Sequence, residues 1–194
     1  KSTLGKAVMN MIPRREGDIL YCGESVITLP PHTLATRGIA IMQQGGQVFR
    51  TLSVWDNLQL AFGNNAKNGY ISVLKSVVPL LARPKGELQR TMADKLSGGQ
   101  RHQLALAMTL ARQPKLAILD EPSAGLSPKA VAEMYDILHE VRTQLGVTLM
   151  VIEQNIAQAI GFCDRSILLS QGRIVQEFKE NDLAMVEKIM FNKR

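Results

Sequence analysis

The chain has 194 residues, enough for one domain or one domain with a small subdomain, and enough to bury a sizeable core. Its 45% hydrophobic and 21% charged content excludes a disordered chain, and no apolar stretch approaches the ~20 residues a membrane-spanning helix needs. A net charge of +6 suits an anionic partner or simply reflects solvated surface lysines, while 5% aromatic residues and no basic run interleaved with them argue against nucleic acid. The two cysteines, Cys22 and Cys163, lie far apart in sequence and form neither a zinc spacing nor a disulfide framework, which fits a reducing cytoplasm.

In chain order, Ser2 to Met11 carries helical spacing through Leu4, Val8 and Met11. Lys1-Ser2-Thr3 stands at the start of that helix, where the end of a phosphate loop, G-x-x-x-x-G-K followed by Ser or Thr, would stand. By itself such a tripeptide is uninformative. From about Ser53 to Asp94 the character changes: Gly63-Asn64-Asn65 and Arg83-Pro84-Lys85-Gly86 break helical stretches such as Ile71 to Leu81, which predicts a small α-helical insertion.

Leu96-Ser97-Gly98-Gly99-Gln100 then opens an apolar-periodic helix through Leu104, Ala107, Met108 and Ala111. Leu116 to Leu119 reads as a strand buried on both faces and ends at Asp120-Glu121-Pro122. Ser127 as N-cap, Pro128 at the first helical position and Gly146 past the end bracket a helix whose apolar face is Val131, Met134, Ile137, Leu138, Val141 and Leu145. A second buried strand, Val147 to Ile152, completes a right-handed parallel βαβ unit and ends at Glu153. A short helix around Ile156 to Phe162, a strand pair at Ser166 to Leu169 and Arg173 to Phe178 turning at Gln171-Gly172, and a helix over Asp182 to Met190 follow.

Two of these segments carry chemistry. The Ser97-Gly98-Gly99 turn reads either as a phosphate cradle, with close backbone N–H groups and a hydroxyl donor at a helix start, or as an ordinary capping turn. Asp120 and Glu121 sit at the C-terminal end of a buried strand, where open α/β sheets place ligands. In phosphate chemistry the first carboxylate would hold Mg²⁺ and the second would orient or deprotonate water. The alternative is a strand end leaving for solvent.

Lys1-Ser2-Thr3, Gln44, Leu96 to Gln100 and Leu116 to Glu121, in this order, closely resemble the ATP-binding subunit of ABC transporters along essentially the whole chain. The resemblance implies an α/β P-loop NTPase-type fold: a mostly parallel sheet flanked by helices, its N-terminal strands missing, with a RecA-like core at 1–52 and 95–194 and a small α-helical subdomain at 53–94. It implies ATP and Mg²⁺ as cofactors. Lys1, Ser2 and Thr3 would end the Walker A loop; Gln44, rather than its neighbour Gln43, would be the Q-loop glutamine contacting Mg²⁺ and the attacking water. Asp120 would join Ser2 and Gln44 at the metal, and Glu121 would be the catalytic base. Ser97, Gly98, Gly99 and Gln100 would bind the γ-phosphate of ATP held by a second subunit, so the working form would be a homo- or heterodimer with another ABC ATPase subunit.

Two motifs depart from the family pattern. Gln154 occupies the switch position usually held by histidine, so its amide would position rather than take a proton, and Ser127 replaces the usual aspartate of the D-loop. The glutamine switch and Leu29-Pro30-Pro31-His32 resemble the branch serving branched-chain amino-acid importers and their urea or amide relatives, although a lipopolysaccharide-exporter ATPase shares parts of Phe49 to Leu58. The resemblance thus implies membrane permease subunits as partners, docked by the 53–94 segment with Trp55 near its start, an indirect link to a solute-binding protein, and a cytoplasmic location on the inner face of the membrane. Alternatives are a soluble or exporter-type ABC ATPase, or an inactive fragment. Because the sequence begins inside the Walker A motif, weak ATP binding by these 194 residues alone is expected.

Overall fold

The computed structural model describes residues 1–13, 16–63, 68–155, 159 and 161–179. They divide into two compact units, one formed by Ser2–Ile152 and the other by Lys1 with the segment from Glu153 onward. The helix expected over 182–190 lies outside the described residues, as does most of the one expected around 156–162.

The first unit is built on three parallel strands, β3 (Ile39–Met42), β4 (Leu116–Asp120) and β5 (Thr148–Ile152), in the order β3-β4-β5. A separate two-stranded hairpin, β1 (Leu20–Tyr21) and β2 (Glu24–Ser25), precedes them. β4 is buried on both faces as its unbroken apolar run predicts, with Ala117, Ile118 and Leu119 all 0% exposed. One face of the sheet carries a core of Met9, Val26, Leu34, Ile39, Ile118 and Ile152, drawn from α1 (Ser2–Val8) with its C-terminal turn, the hairpin, α2 (Pro31–Thr36) and the strands. Gly5 is why α1 lies so close. A Cβ at that position would stand 3.1 Å from Ile152 Cδ1 and 3.3 Å from Ile118 Cγ2, tight enough that those side chains would have to give way for any other residue.

The βαβ unit expected from the sequence is present: α7 (Pro128–Leu145) links β4 to β5 with Ser127 as N-cap and Gly146 in the left-handed conformation just beyond its end. It buries Val131, Met134, Ile137, Leu138 and Val141, each worth roughly 1.5–3 kcal/mol of transfer free energy. α6 (Gly98–Leu110) packs against β3 and α7.

Between β3 and α6 lie α3 (Val54–Phe62), α4 (Asn68–Val77), a 3₁₀ turn at Pro79–Ala82 and α5 (Lys85–Arg90). The helix expected to run to Leu81 stops at Val77. Pro79 forces Val78 into extended backbone (φ −108°, ψ 103°), so the α-helix cannot pass through it. The segment's two ends are tied together, with Val54 N–H donating to Thr91 O (2.8 Å) and Ala93 N–H to Leu52 O (3.0 Å). Asn57, fully buried, holds the approach to this neck: its Oδ1 accepts from Phe49 N–H (2.8 Å) while its Nδ2 donates to the carbonyls of Phe49 and Ser53 (each 2.9 Å). These bonds satisfy loop backbone groups that burial would otherwise strand.

The second unit contains an antiparallel pair, β6 (Arg165–Ser170) and β7 (Arg173–Lys179), turning at Gln171-Gly172 with an irregularity between Leu168 and Leu169. Among the described residues, no helix is long and apolar enough to cross a membrane.

Tyr70 on α4 donates its hydroxyl to Leu110 O at the end of α6 (2.8 Å), and burial pushes its pKa up to about 12 from the ordinary 10. A group ionising later in the folded than in the unfolded chain contributes stability that is complete below pH 10 and lost as pH rises through 12. Urea unfolding of wild type and Tyr70→Phe between pH 9 and 12 should therefore show a steeper alkaline loss in wild type; parallel curves would contradict this.

Candidate active site

The register of the parallel sheet builds the site. Ile39 pairs with Leu116 and Met42 with Leu119, so all three strands run the same way and end on one edge. Gln44 and Glu121 each lie two residues past the last β3–β4 pair, and their side chains meet, Gln44 Nε2 donating to Glu121 Oε2 at 2.6 Å. Asp120, the last residue of β4, accepts from Ser2 Oγ at 3.0 Å, because Gly5 brings the start of α1 to the same edge. Four expected residues, Ser2, Gln44, Asp120 and Glu121, thus converge.

Both carboxylates are withdrawn from water, Asp120 at 3% and Glu121 at 7% exposure. Glu121 also has φ +50°, in the left-handed region that side-chain-bearing residues seldom occupy, and its N–H donates to Ile152 O at 2.8 Å. The chain leaves β4 through a strained residue that is pinned by β5, an arrangement typical of functional positions.

Thr3 is exposed on α1. Lys1 and Gln154 belong to the second unit: Lys1 Nζ donates to Glu153 O (3.1 Å) and Gln154 N–H to Glu153 Oε2 (3.2 Å). Ser97, Gly98, Gly99 and Gln100 line a different cavity, of about 460 Å³, together with Gly125, Leu126, Ser127, Arg83 and Glu133, and none of the four clustered residues touches it.

At that cavity the capping reading of the Ser-Gly-Gly turn is realised. Ser97 Oγ accepts from Gln100 N–H (3.2 Å) and Gln100 Oε1 from Ser97 N–H (3.1 Å), a reciprocal cap on α6 that also forms the cavity wall. Ser127 likewise caps α7, accepting from Ala130 N–H, while facing the cavity. Sequence reasoning missed Gln103, whose buried Oε1 accepts from Leu80 N–H (3.0 Å) and holds the Pro79–Ala82 turn beside α6. The available signal was a polar pair, His102-Gln103, inside a helix otherwise buried through Leu104, Leu106 and Leu110.

The ABC transporter family model matches residues 1–124, which span Lys1-Ser2-Thr3, Gln44, the Ser97–Gln100 turn and both carboxylates. The chain belongs to the ABC transporter family. It is an ATPase of that family. The chain is 36% identical to the high-affinity branched-chain amino acid transport ATP-binding protein BraG of Pseudomonas aeruginosa over 90% of this chain and 74% of the relative. It is 33% identical to the probable branched-chain amino acid transport ATP-binding protein LivF of Archaeoglobus fulgidus, over 97% and 79%. Among solved structures, cbiO1 of Clostridium perfringens, part of the ABC transporter complex cbiONQ, superposes with a TM-score of 0.80 at 23% identity over 98% of this chain and 76% of that one, and shares the fold. Gln154 lies beyond the span matched by the ABC transporter family model.

Because Glu121 holds a left-handed backbone in an ABC ATPase, Glu121→Gly, relieved of strain of about 1 kcal/mol, should melt roughly 2–4 °C above Glu121→Ala, which removes the same carboxylate. A glycine variant melting at or below the alanine variant would contradict the strain.

Proposed function

We propose that the chain is the ATP-hydrolysing subunit of an importer for branched-chain amino acids or a related small polar solute. The kinship to BraG and LivF, both above 30% identity over most of each chain, supports the solute class. The meeting of Ser2–Asp120 and Gln44–Glu121 at one sheet edge is the observation that carries the chemistry.

The residues suit Mg²⁺ and ATP. A hydroxyl and a carboxylate already 3.0 Å apart are the hard oxygen donors Mg²⁺ prefers, few enough to leave places for phosphate oxygens and water. Ser2, Asp120 and the Gln44 amide oxygen would hold the metal, and Lys1 and Thr3, at the same helix start, would contact phosphate. When bound, MgATP supplies the γ-phosphoryl group and the cation that neutralises its charge. Glu121 then takes the proton of the attacking water at a carboxylate oxygen, and Gln44, turned from its present bond to Oε2, orients that water. Burial of Glu121 keeps bulk water from competing for the base. The Gln154 amide positions the γ-phosphate side without exchanging a proton.

Ser97, Gly98, Gly99 and Gln100, on their separate cavity, would serve nucleotide held by a second ATPase subunit, the same chain or a related one. In this reading 53–94 forms the α-helical subdomain, supported by its tied neck, and docks onto permease subunits at the inner face of the membrane; 1–52 and 95–194 form the catalytic core. A solute-binding protein connects only through the permease.

The test uses the chain assembled with its partner and permease in proteoliposomes. Glu121→Gln should lower ATP turnover by about 10²-fold or more while ATP affinity stays within about threefold, and uptake of radiolabelled leucine should cease. Turnover within about fivefold of wild type would overturn the role of Glu121. Vigorous turnover without uptake of any branched-chain amino acid would overturn the solute class.

A further inference from the structure

Two sites on one chain must report to each other if binding at one is to prepare the other, and a buried side chain touches an element of each here. His102 on α6 is 6% exposed, and its Nδ1 lies 3.0 Å from Gly98 O in the first turn of that helix. A carbonyl can only accept, so Nδ1 carries a proton, and the buried Nε2 has no hydrogen-bond partner among the described residues. The other side of the ring meets the loop after β3. A Cβ on Gly46 would stand 3.2 Å from His102 Cγ and 3.3 Å from its Cα and Cδ2, so the glycine backbone lies directly against the imidazole.

Gly46 is two residues from Gln44, and Gly98 lines the cavity of the Ser97–Gln100 turn. We propose that His102 is a positioning residue that couples the Gln44 loop to the Ser97–Gln100 turn. A shift of Gln44 displaces Gly46 against the ring; a close-packed contact does not absorb such a displacement, and the Nδ1–H bond passes it to Gly98. The proposal rests on the reading that Gln44 serves the chain's own nucleotide and Ser97–Gln100 a second subunit's.

Gly45 supplies the control. Gly45 and Gly46 both have positive φ (84° and 57°), so alanine at either strains the backbone, yet nothing lies within 4 Å of a Cβ on Gly45. Amide hydrogen exchange of the full chain without nucleotide should show exchange at 97–100 accelerated about tenfold by Gly46→Ala and changed less than about twofold by Gly45→Ala. Adding His102→Ala should remove the difference between the glycine variants, a non-additivity expected of groups in contact. Equal effects of the two glycine variants at 97–100, or additive double variants, would overturn the proposal. Should Gly46→Ala fail to fold, His102→Leu carries the test: exchange must accelerate at both 44–47 and 97–100, and a change confined to 97–100 overturns it. In the assembled transporter, His102→Gln, which keeps an N–H donor, should restore the turnover lost in His102→Leu at unchanged KM. Because the exchange readout needs no ATP, an assembled chain that failed to hydrolyse ATP would leave it standing, and indistinguishable glycine variants would leave the proposed function standing.

Discussion

The register of β3 against β4 is the constraint on which the site depends. With Met42 opposite Leu119, the residues two places further along each strand, Gln44 and Glu121, leave the sheet side by side and hydrogen-bond at 2.6 Å. A slip of one residue would turn Gln44 to the other face, and it would also unseat Ile39 and Met42, which are buried on opposite faces of β3 and so hold the pairing from both sides. Hydrophobic packing and catalytic geometry are here the same fact seen at two ends of one strand.

The remaining oxygen donors arrive by close approach. Gly5 lets α1 sit on Ile118 and Ile152, and that contact carries Ser2 to Asp120 at the edge of the sheet. Strain is confined to Glu121, held in a left-handed backbone by its bond to Ile152 O. The Ser97–Gln100 turn stands apart on its own cavity, so its donors serve a ligand other than the one the carboxylates face in the proposed function. An ATPase with its donors divided in this way has reason to be a dimer, and His102 lies in contact with both Gly46 and Gly98.

Much of this was legible in the residues. Ser127, Pro128 and Gly146 mark α7 because capping, a missing N–H and a left-handed C-terminal turn are local physics. β4 showed itself as an apolar run ending in two carboxylates, since a strand buried on both faces has no polar alternation to obscure it. What stayed hidden is non-local. β3 is four residues long, and the choice of Gln44 over Gln43 came from family resemblance, whereas the meeting of Gln44 with Glu121 comes from pairing with a strand 77 residues away. The stop at Val77 needed only Pro79 and was readable but overridden by apolar spacing through Leu81. The contact of Gly46 with His102 has no sequence signature beyond a histidine in an apolar helix, a pattern a satisfied core residue would share.

The most direct test of the central claim is a crystal structure of the assembled ATPase with a non-hydrolysable ATP analogue and Mn²⁺, located by its anomalous scattering. The account predicts the ion within about 2.5 Å of Ser2 Oγ, linked to Asp120 directly or through one water, with Gln44 released from Glu121. An ion bound away from Ser2 and Asp120, beside a Gln44 still hydrogen-bonded to Glu121, would contradict it.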